Sequence, residues 1–358
     1  MKKIVLTGGP CGGKSTALSK IKEYYQDRDI NVVAVPEVAT TIGIAGIEIS
    51  KLCNDNLLEF EKRLLKMQIT LEQRFIEFAK LNKQETIVIF DRGVLDIKAY
   101  LSSELWDALI SSTNYNEVEL RDKRYDAVIH LQSAAIGAEE FYTTINNEIR
   151  TETIEEAGIL DEKIVRSWTG HPHLRIIDNS TKFSEKINRV ISEINSILGL
   201  PLPLEYERKF LVDNFSFPMN IPYKKIEITQ TYLITSKHNT EERVRKRGQN
   251  KNYIYFHTIK KSYNNSRIEN ERQISPEEYI SLINMADTNL KQIRKNRYCF
   301  VYKSQYFELD EFIDFEGLKI LEIELKDENS KYSLPEFVKV RKEVTNNNRY
   351  KNITLASL

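Results

Sequence analysis

Residues 205–210 read EYERKF, and strand alternation puts Glu205, Glu207 and Lys209 on one face and Tyr206, Arg208 and Phe210 on the other. Two acids and a base along one face do not build an ordinary core. The strands that follow repeat the pattern. ERVRKRG aligns Arg243, Arg245 and Arg247; YIYFHTIKK puts Thr258 with Lys260; RIENERQI aligns Arg267, Glu269 and Glu271; KNRY pairs Lys295 with Arg297. FELDEF pairs Glu308 with Asp310, and KILEIEL pairs Glu322 with Glu324 against Leu321, Ile323 and Leu325. A charged face turned to water accounts for the alternation, but not for whole strands that are acid-only or base-only. The sorting predicts an antiparallel barrel of about eight strands, wide enough inside for side chains and one small ligand. Bases there would take a polyanion, and oxygen-only acids suit Mg²⁺ or Mn²⁺.

The 358 residues suffice for two domains, and 41% apolar with 29% charged residues is a globular composition. Lys+Arg and Asp+Glu are both 52, so nothing argues for broad attraction to nucleic acid or an anionic membrane. No run has the length of a signal-peptide core or of a membrane span. Cys11, Cys53 and Cys299 are odd in number and scattered, which fits reduced thiols in a cytoplasmic protein.

Before residue 200 the grammar differs. KIVLTG, NVVAVPE, TIVIFDR, DAVIHLQ and LRIIDN are solid apolar runs separated by amphipathic helices, the clearest over 182–197. This predicts an α/β domain with a parallel sheet and helices on both faces over 1–200. Pro201 and Pro203 then break the chain, and the mostly antiparallel β domain is expected over 203–358.

GGPCGGKS (residues 8–15) fits G-x-x-x-x-G-K-[ST] between a strand and a helix. Its Gly8, Gly9, Gly12 and Gly13 let backbone N–H groups converge on phosphate, with Lys14 on the β/γ-phosphates and Ser15 on Mg²⁺, next to Thr16. Asp91 and Arg92 end the strand TIVIF, where open α/β sheets bind ligands; Asp91 can hold the metal shell and Arg92 a phosphate. Glu37 sits at an equivalent edge. ATP or GTP is the expected ligand.

With TGGPCGGKST, PEVATT, FDRG and RTETIEEAG…WTGHPHLRIIDN, residues 1–195 resemble the small P-loop kinase-like domains that include nicotinamide-riboside and deoxynucleoside kinases. The resemblance implies a lid over NNEIRTETIEE, with Arg150 reaching across the phosphates. No H-x-G-H motif supports adenylyl transfer, and His171 and His173 have too few ligands nearby for a metal site.

The E-x-E-x-K signature, with RVR, TIK, KNR, ELDEF, LEIEL and KEVTNNNRYKN, resembles the CYTH domain, the triphosphate tunnel metalloenzyme fold, from Glu205 to about Asn352. The resemblance implies hydrolysis of inorganic triphosphate, nucleoside triphosphates or thiamine triphosphate, or cyclisation of ATP. It gives Glu205 and Glu207 one metal, and Glu322 and Glu324 a second metal or the water. Lys209, Arg243, Arg245, Lys260, Lys295 and Arg297 would grip phosphate, and Asp310 with Glu308 would complete the acidic wall. The order of the two halves also resembles the animal TRP-like-channel translocation defect family, which binds GTP.

The leading expectation is a metal-dependent phosphoanhydride hydrolase with an ATP- or GTP-binding P-loop domain, for which the resemblance leaves a kinase activity open. A nucleotide-gated protein that grips a phosphorylated ligand without turnover is the alternative from another class, and an adenylyl cyclase the third. Both acid pairs would be needed only for catalysis, which favours the hydrolase.

Overall fold

The structure, a computed structural model, describes the backbone of residues 1–142, 153–200, 206–235, 240–263, 266–325 and 329–358. The chain divides into two compact units, Met1–Leu198 and Gly199–Leu358.

In the first unit the elements run β1 (Lys2–Thr7), α1 (Lys14–Gln26), β2 (Ile30–Val35), α2 (Val38–Ile44), α3 (Ile49–Ala79), β3 (Glu85–Asp91), α4 (Ser103–Ser111), β4 (Ala127–Leu131), α5 (Ile154–Trp168), β5 (Leu174–Ile177) and α6 (Phe183–Leu198). The five solid apolar runs become a five-stranded sheet in the order β2-β3-β1-β4-β5, and every ladder is parallel. Alternate residues serve the two faces. Ile4, Leu6, Ile87, Ile89, Ile129 and Leu131 pack against Ala17 and Ile21 of α1 and Ile187, Val190 and Ile194 of α6. Phe90 meets Tyr125, and Tyr125 meets Trp168, both edge-on. Each fully buried Ile or Val contributes roughly 1.5–3 kcal/mol. Strands β1 and β3 are neighbours, and the connections from their C-terminal ends run in opposite directions, β1 to β2 and β3 to β4, which opens a crevice there.

The second unit runs β6 (Tyr206–Phe215), β7 (Tyr223–Tyr232), β8 (Thr240–Gln249), β9 (Asn252–Tyr263), β10 (Ser266–Ile274), α7 (Pro276–Ile283), β11 (Ile293–Tyr302), β12 (Gln305–Phe312), β13 (Lys319–Leu325), β14 (Val338–Glu343) and α8 (Asn352–Ala356). Its antiparallel sheet has nine strands, not the expected eight, in the order β10-β9-β8-β7-β11-β12-β13-β6-β14. Among the described residues no ladder joins the edges β10 and β14. The added strand β14 has Lys339, Arg341, Lys342 and Glu343 on both its faces and two register shifts against β6, so its period was hidden.

Two tight hairpins fix which side chains share a face. Asn250–Lys251 between β8 and β9, and Lys303–Ser304 between β11 and β12, all have positive φ (51°, 64°, 46° and 57°). Paired positive φ values give a turn whose twist matches that of the strands. A one-residue slip would send every charge to the opposite side. That opposite side is apolar: Phe210, Val212, Phe300, Phe307, Leu309, Leu321 and Ile323 form one cluster, covered by Phe217, Tyr332, Leu334 and Phe337. Helix α7, capped by Ser275 Oγ accepting from Glu278 N at 3.1 Å, lays Tyr279 on Leu233, Val244 and Ile274.

Candidate functional site

The six residues between β1 and α1 form the phosphate loop at the mouth of the crevice. Gly8 and Gly13 take φ of 138° and 91°, and Cys11 holds 55° without being glycine. Such alternation turns successive N–H groups into one concavity. Lys14 Nζ lies back along the loop, donating to the Gly8 and Gly9 carbonyls at 2.7 and 2.9 Å. Ser15 and Thr16 are exposed on the first turn of α1.

Asp91 and Arg92 arrive at the end of β3, beside β1 in register. Arg92 is left-handed (φ 67°), a strained conformation for a non-glycine residue. Its Nε meets Glu37 Oε1 at 2.5 Å, and its Nη1 lies 3.8 Å from Asp96 Oδ2. Burial pushes the Lys14 ammonium down to about 8; Arg92 adds to this, and Asp91, Glu37 and Asp96 oppose it. Burial likewise raises the Asp91 carboxyl. Asp91 Oδ1 is buried without a hydrogen-bond partner. An orphaned carboxylate oxygen beside the phosphate-loop lysine is a chemical fit for Mg²⁺.

Two residues behind this group escaped sequence reasoning. Asp161 of α5 accepts Gly9 N at 2.7 Å and Ser133 N at 3.0 Å through Oδ1, and meets His130 Nε2 at 3.0 Å through Oδ2. Burial acts to raise its carboxyl, but His130 and the two N–H donors hold it below the usual range. Helix α5 is itself fixed by reciprocal hydrogen bonds between Thr153 and Glu156. Asp96 accepts Thr7 Oγ1 and Trp168 Nε1, each at 2.6 Å. In sequence both acids look like ordinary surface charges. Only the fold brings Asp161 to a loop 152 residues away. His171 is buried, its ring 3.3 Å from the Tyr125 carbonyl, a packing position. Arg150, expected over the phosphates, lies outside the described residues.

In the second unit the ladder registers put every anticipated charge that is described on one sheet face. Glu207 lies opposite Glu324 and Lys209 opposite Glu322; Glu322 is opposite Glu308; Arg297 is opposite Asp310. Beyond β7, Arg243 faces Thr258 and Glu241 faces Lys260, while Glu269 and Glu271 of β10 face Lys260 and Thr258. Glu205 lies outside the described residues.

This is not a solvated face. Asp310 and Thr258 are 0% exposed, Arg247 2% and Lys295 3%. Their ionic partners come from the same sheet. Arg297 donates from Nε and Nη2 to Asp310 at 2.7 Å each, from Nη2 to Glu322 at 3.0 Å, and also pairs with Glu308. Lys209 Nζ meets Glu322 at 2.9 Å and Glu207 at 3.2 Å. Arg245 meets both oxygens of Glu271 at 2.7 Å, and Thr258 Oγ1 donates to the same carboxylate at 2.7 Å. Arg243 reaches Glu269 at 3.3 Å, and Lys260 pairs with it too. Burial works to raise the Glu322 carboxyl, yet Lys209, Arg297 and Lys295 hold it well below the usual range. Burial opposes the Lys209 charge, but Glu322 and Glu207 raise its ammonium above the ordinary value.

The geometry changes one assignment. Asp310, expected among metal ligands, has both oxygens engaged by Arg297 and one by Lys295, so it positions bases. Glu269 and Glu271, aligned by the sequence pattern but given no role, are the counter-charges of the arginine strand. Among the described residues no three His, Cys, Asp or Glu converge as a metal site. Glu207, Glu322 and Glu324 remain an oxygen-only set aligned across β6 and β13, a donor chemistry that fits a hard divalent ion.

Comparison with known proteins bears on both sites. A family profile for the AAA domain matches residues 3–186. Over 154 residues the chain is 34% identical to an inorganic triphosphatase of Acetivibrio thermocellus, covering 42% of this chain and 92% of that one. The chain belongs to the AAA domain family and to the family of that triphosphatase. Its N-terminal part is thus an AAA-type P-loop NTPase domain. Among solved structures, an inorganic triphosphatase is 30% identical over 43% of this chain and 95% of its own, with a TM-score of 0.33. A Pyrococcus horikoshii OT3 protein is 20% identical over 34% and 80%, with a TM-score of 0.27. No helix among the described residues is long and apolar enough to cross a membrane.

Proposed function

We propose that the second unit is a CYTH-type hydrolase that cleaves inorganic triphosphate, or the triphosphate tail of a nucleotide, with Mg²⁺ or Mn²⁺. The first unit binds ATP or GTP through its phosphate loop. The observation that carries this reading is a sheet face whose bases and acids, most of them buried, come from seven strands and pair in two groups on either side of β7. The 34% identity to a triphosphatase over a length the second unit can accommodate supports the reaction class.

The residues divide by task. Arg243, Arg245, Lys260, Lys295, Arg297 and Lys209 offer the positive charge that a triphosphate needs, beside the carboxylates that already position them. Glu205, Glu207, Glu322 and Glu324 would hold the divalent ion, which supplies charge neutralisation on the phosphoryl oxygens. Asp310 and Glu308 keep Arg297 aimed. Phosphoanhydride hydrolysis needs positioning, charge neutralisation and an oriented water rather than a nucleophilic side chain. In the first unit Asp91 and Ser15 would hold Mg²⁺, with Lys14, Arg92 and Arg150 on phosphate.

The test is phosphate release from inorganic triphosphate, ATP and GTP, with Mg²⁺ or Mn²⁺, by wild type, Lys14→Ala and a Glu205→Ala/Glu207→Ala double variant. Triphosphate turnover that survives Lys14→Ala and vanishes in the double variant is the expected result. A wild type inert on all three substrates, still binding nucleotide through Lys14, would leave a nucleotide-controlled binding protein instead.

A further inference from the structure

We propose that Phe183 is the platform on which the nucleobase stacks in the first unit, and that the unit therefore takes adenine and guanine nucleotides alike. This rests on the reading of the loop as a nucleotide site.

Three observations converge on Phe183. It opens α6, directly after the turn that follows β5, and the residue is 51% exposed. The same ring lies hard against the phosphate loop: a Cβ on Gly13 would sit 2.7 Å from its Cε2 and 3.0 Å from its Cζ. Gly13 immediately precedes Lys14 and Ser15, so the uncovered part of the ring flanks the point where the loop becomes α1. A nucleotide with its terminal phosphates in the loop must lead its sugar and base outward past this edge. An aromatic face with one edge anchored on the loop and the rest open offers a base a rigid surface at little conformational cost.

The polar side chains of the same turn do not add a reading head. Asn179 spends its amide on the Ser133 and Ile136 carbonyls and its oxygen on Lys186. Asp178 is held by Ser180 and Arg189. Stacking accepts any base because every base has a π-face, whereas discrimination needs hydrogen bonds to its edge. With Asn179 and Asp178 committed within the turn, stacking is left as the main contact.

The experiment measures equilibrium binding of ADP and of GDP, with Mg²⁺, to the full chain and to Lys14→Ala, Phe183→Ala, Phe183→Leu and Phe183→Trp. Leu keeps apolar bulk against Gly13 but has no π-face. The expected result is that Lys14→Ala abolishes binding and that Ala and Leu each weaken both nucleotides about tenfold, the scale of one lost base–aromatic stack. Trp should stay near wild type, with ADP and GDP within a few-fold of each other throughout. Binding lost in Lys14→Ala but unchanged in Phe183→Ala, or Leu behaving as wild type, overturns the platform alone. Binding that survives Lys14→Ala overturns the nucleotide site itself, and the platform with it.

Discussion

The two units hold phosphate-sized charge in opposite ways. The loop of residues 8–13 relies on backbone N–H groups fixed by positive φ at Gly8, Cys11 and Gly13, with one lysine lying along it. The sheet face relies on side chains from seven strands, with Lys209, Arg243, Arg245, Lys260, Lys295 and Arg297 each already paired with an acid. A loop of amides needs few neighbours and is legible in eight consecutive residues. A buried face of full charges needs compensation, so its parts are spread over more than a hundred residues and stand or fall together.

The largest expected effect follows from that dependence. Arg297 is the hub for Asp310, Glu308 and Glu322, and Arg297→Ala removes a partner from all three carboxylates at once. Stability should fall by about 3–5 kcal/mol, the usual result of breaking a buried ionic network, and triphosphate turnover should disappear; urea denaturation and phosphate release measure both. A variant as stable as wild type would mean that the face is not the cooperative unit described.

The pH responses should separate the two regions further. Glu322 is held below the ordinary carboxylate value, so its contribution is present above that value and is lost as pH falls through its folded pKa. Lys209 is raised, so its contribution is complete below the ordinary lysine value and is lost only as pH rises through the folded one. The sheet face should therefore be insensitive to pH from about 6 to 9. Lys14 is depressed to about 8, so folding carries a cost while the folded pKa lags the unfolded one, and its charge is lost above pH 8. Nucleotide affinity should fall above pH 8, by up to about tenfold per unit, and calorimetric titration at pH 7, 8 and 9 checks this. A flat profile would contradict the role given to Lys14.

A smaller effect sharpens the loop's side of the comparison. Asp161→Asn keeps the shape but removes the charge that Gly9 N and Ser133 N share with His130. Nucleotide affinity should drop several-fold, while thermal unfolding shifts by only a few degrees, because each N–H keeps an acceptor.

The sequence showed much of this in advance, for identifiable reasons. The five parallel strands were visible because strands covered on both faces are solidly apolar, and the charged face because strand period is strictly two. Lys14, Asp91 and Arg92 converge as the motif implied. Strand β14 was hidden by charges on both its faces. Asp161, Asp96 and Phe183 were hidden because their roles come from contacts between elements far apart in the chain. The capping signal at Thr153–Glu156 was readable, but nothing local says that the helix it starts carries the loop's brace. The pairing of Glu269 and Glu271 with the arginine strand was equally beyond reach, since it depends on β10 lying next to β9.

The most direct measurement compares Lys209→Ala with Arg208→Ala in hydrolysis of inorganic triphosphate with Mg²⁺ or Mn²⁺. The two bases are adjacent in EYERKF and differ mainly in the face they occupy: Lys209 meets Glu322 and Glu207, whereas Arg208 meets Glu343 at 3.1 Å. The account predicts turnover lost in Lys209→Ala and within about twofold of wild type in Arg208→Ala, as for surface charges elsewhere. Equal losses in both, or full activity in Lys209→Ala, would contradict the claim that the buried charged face is the catalytic surface.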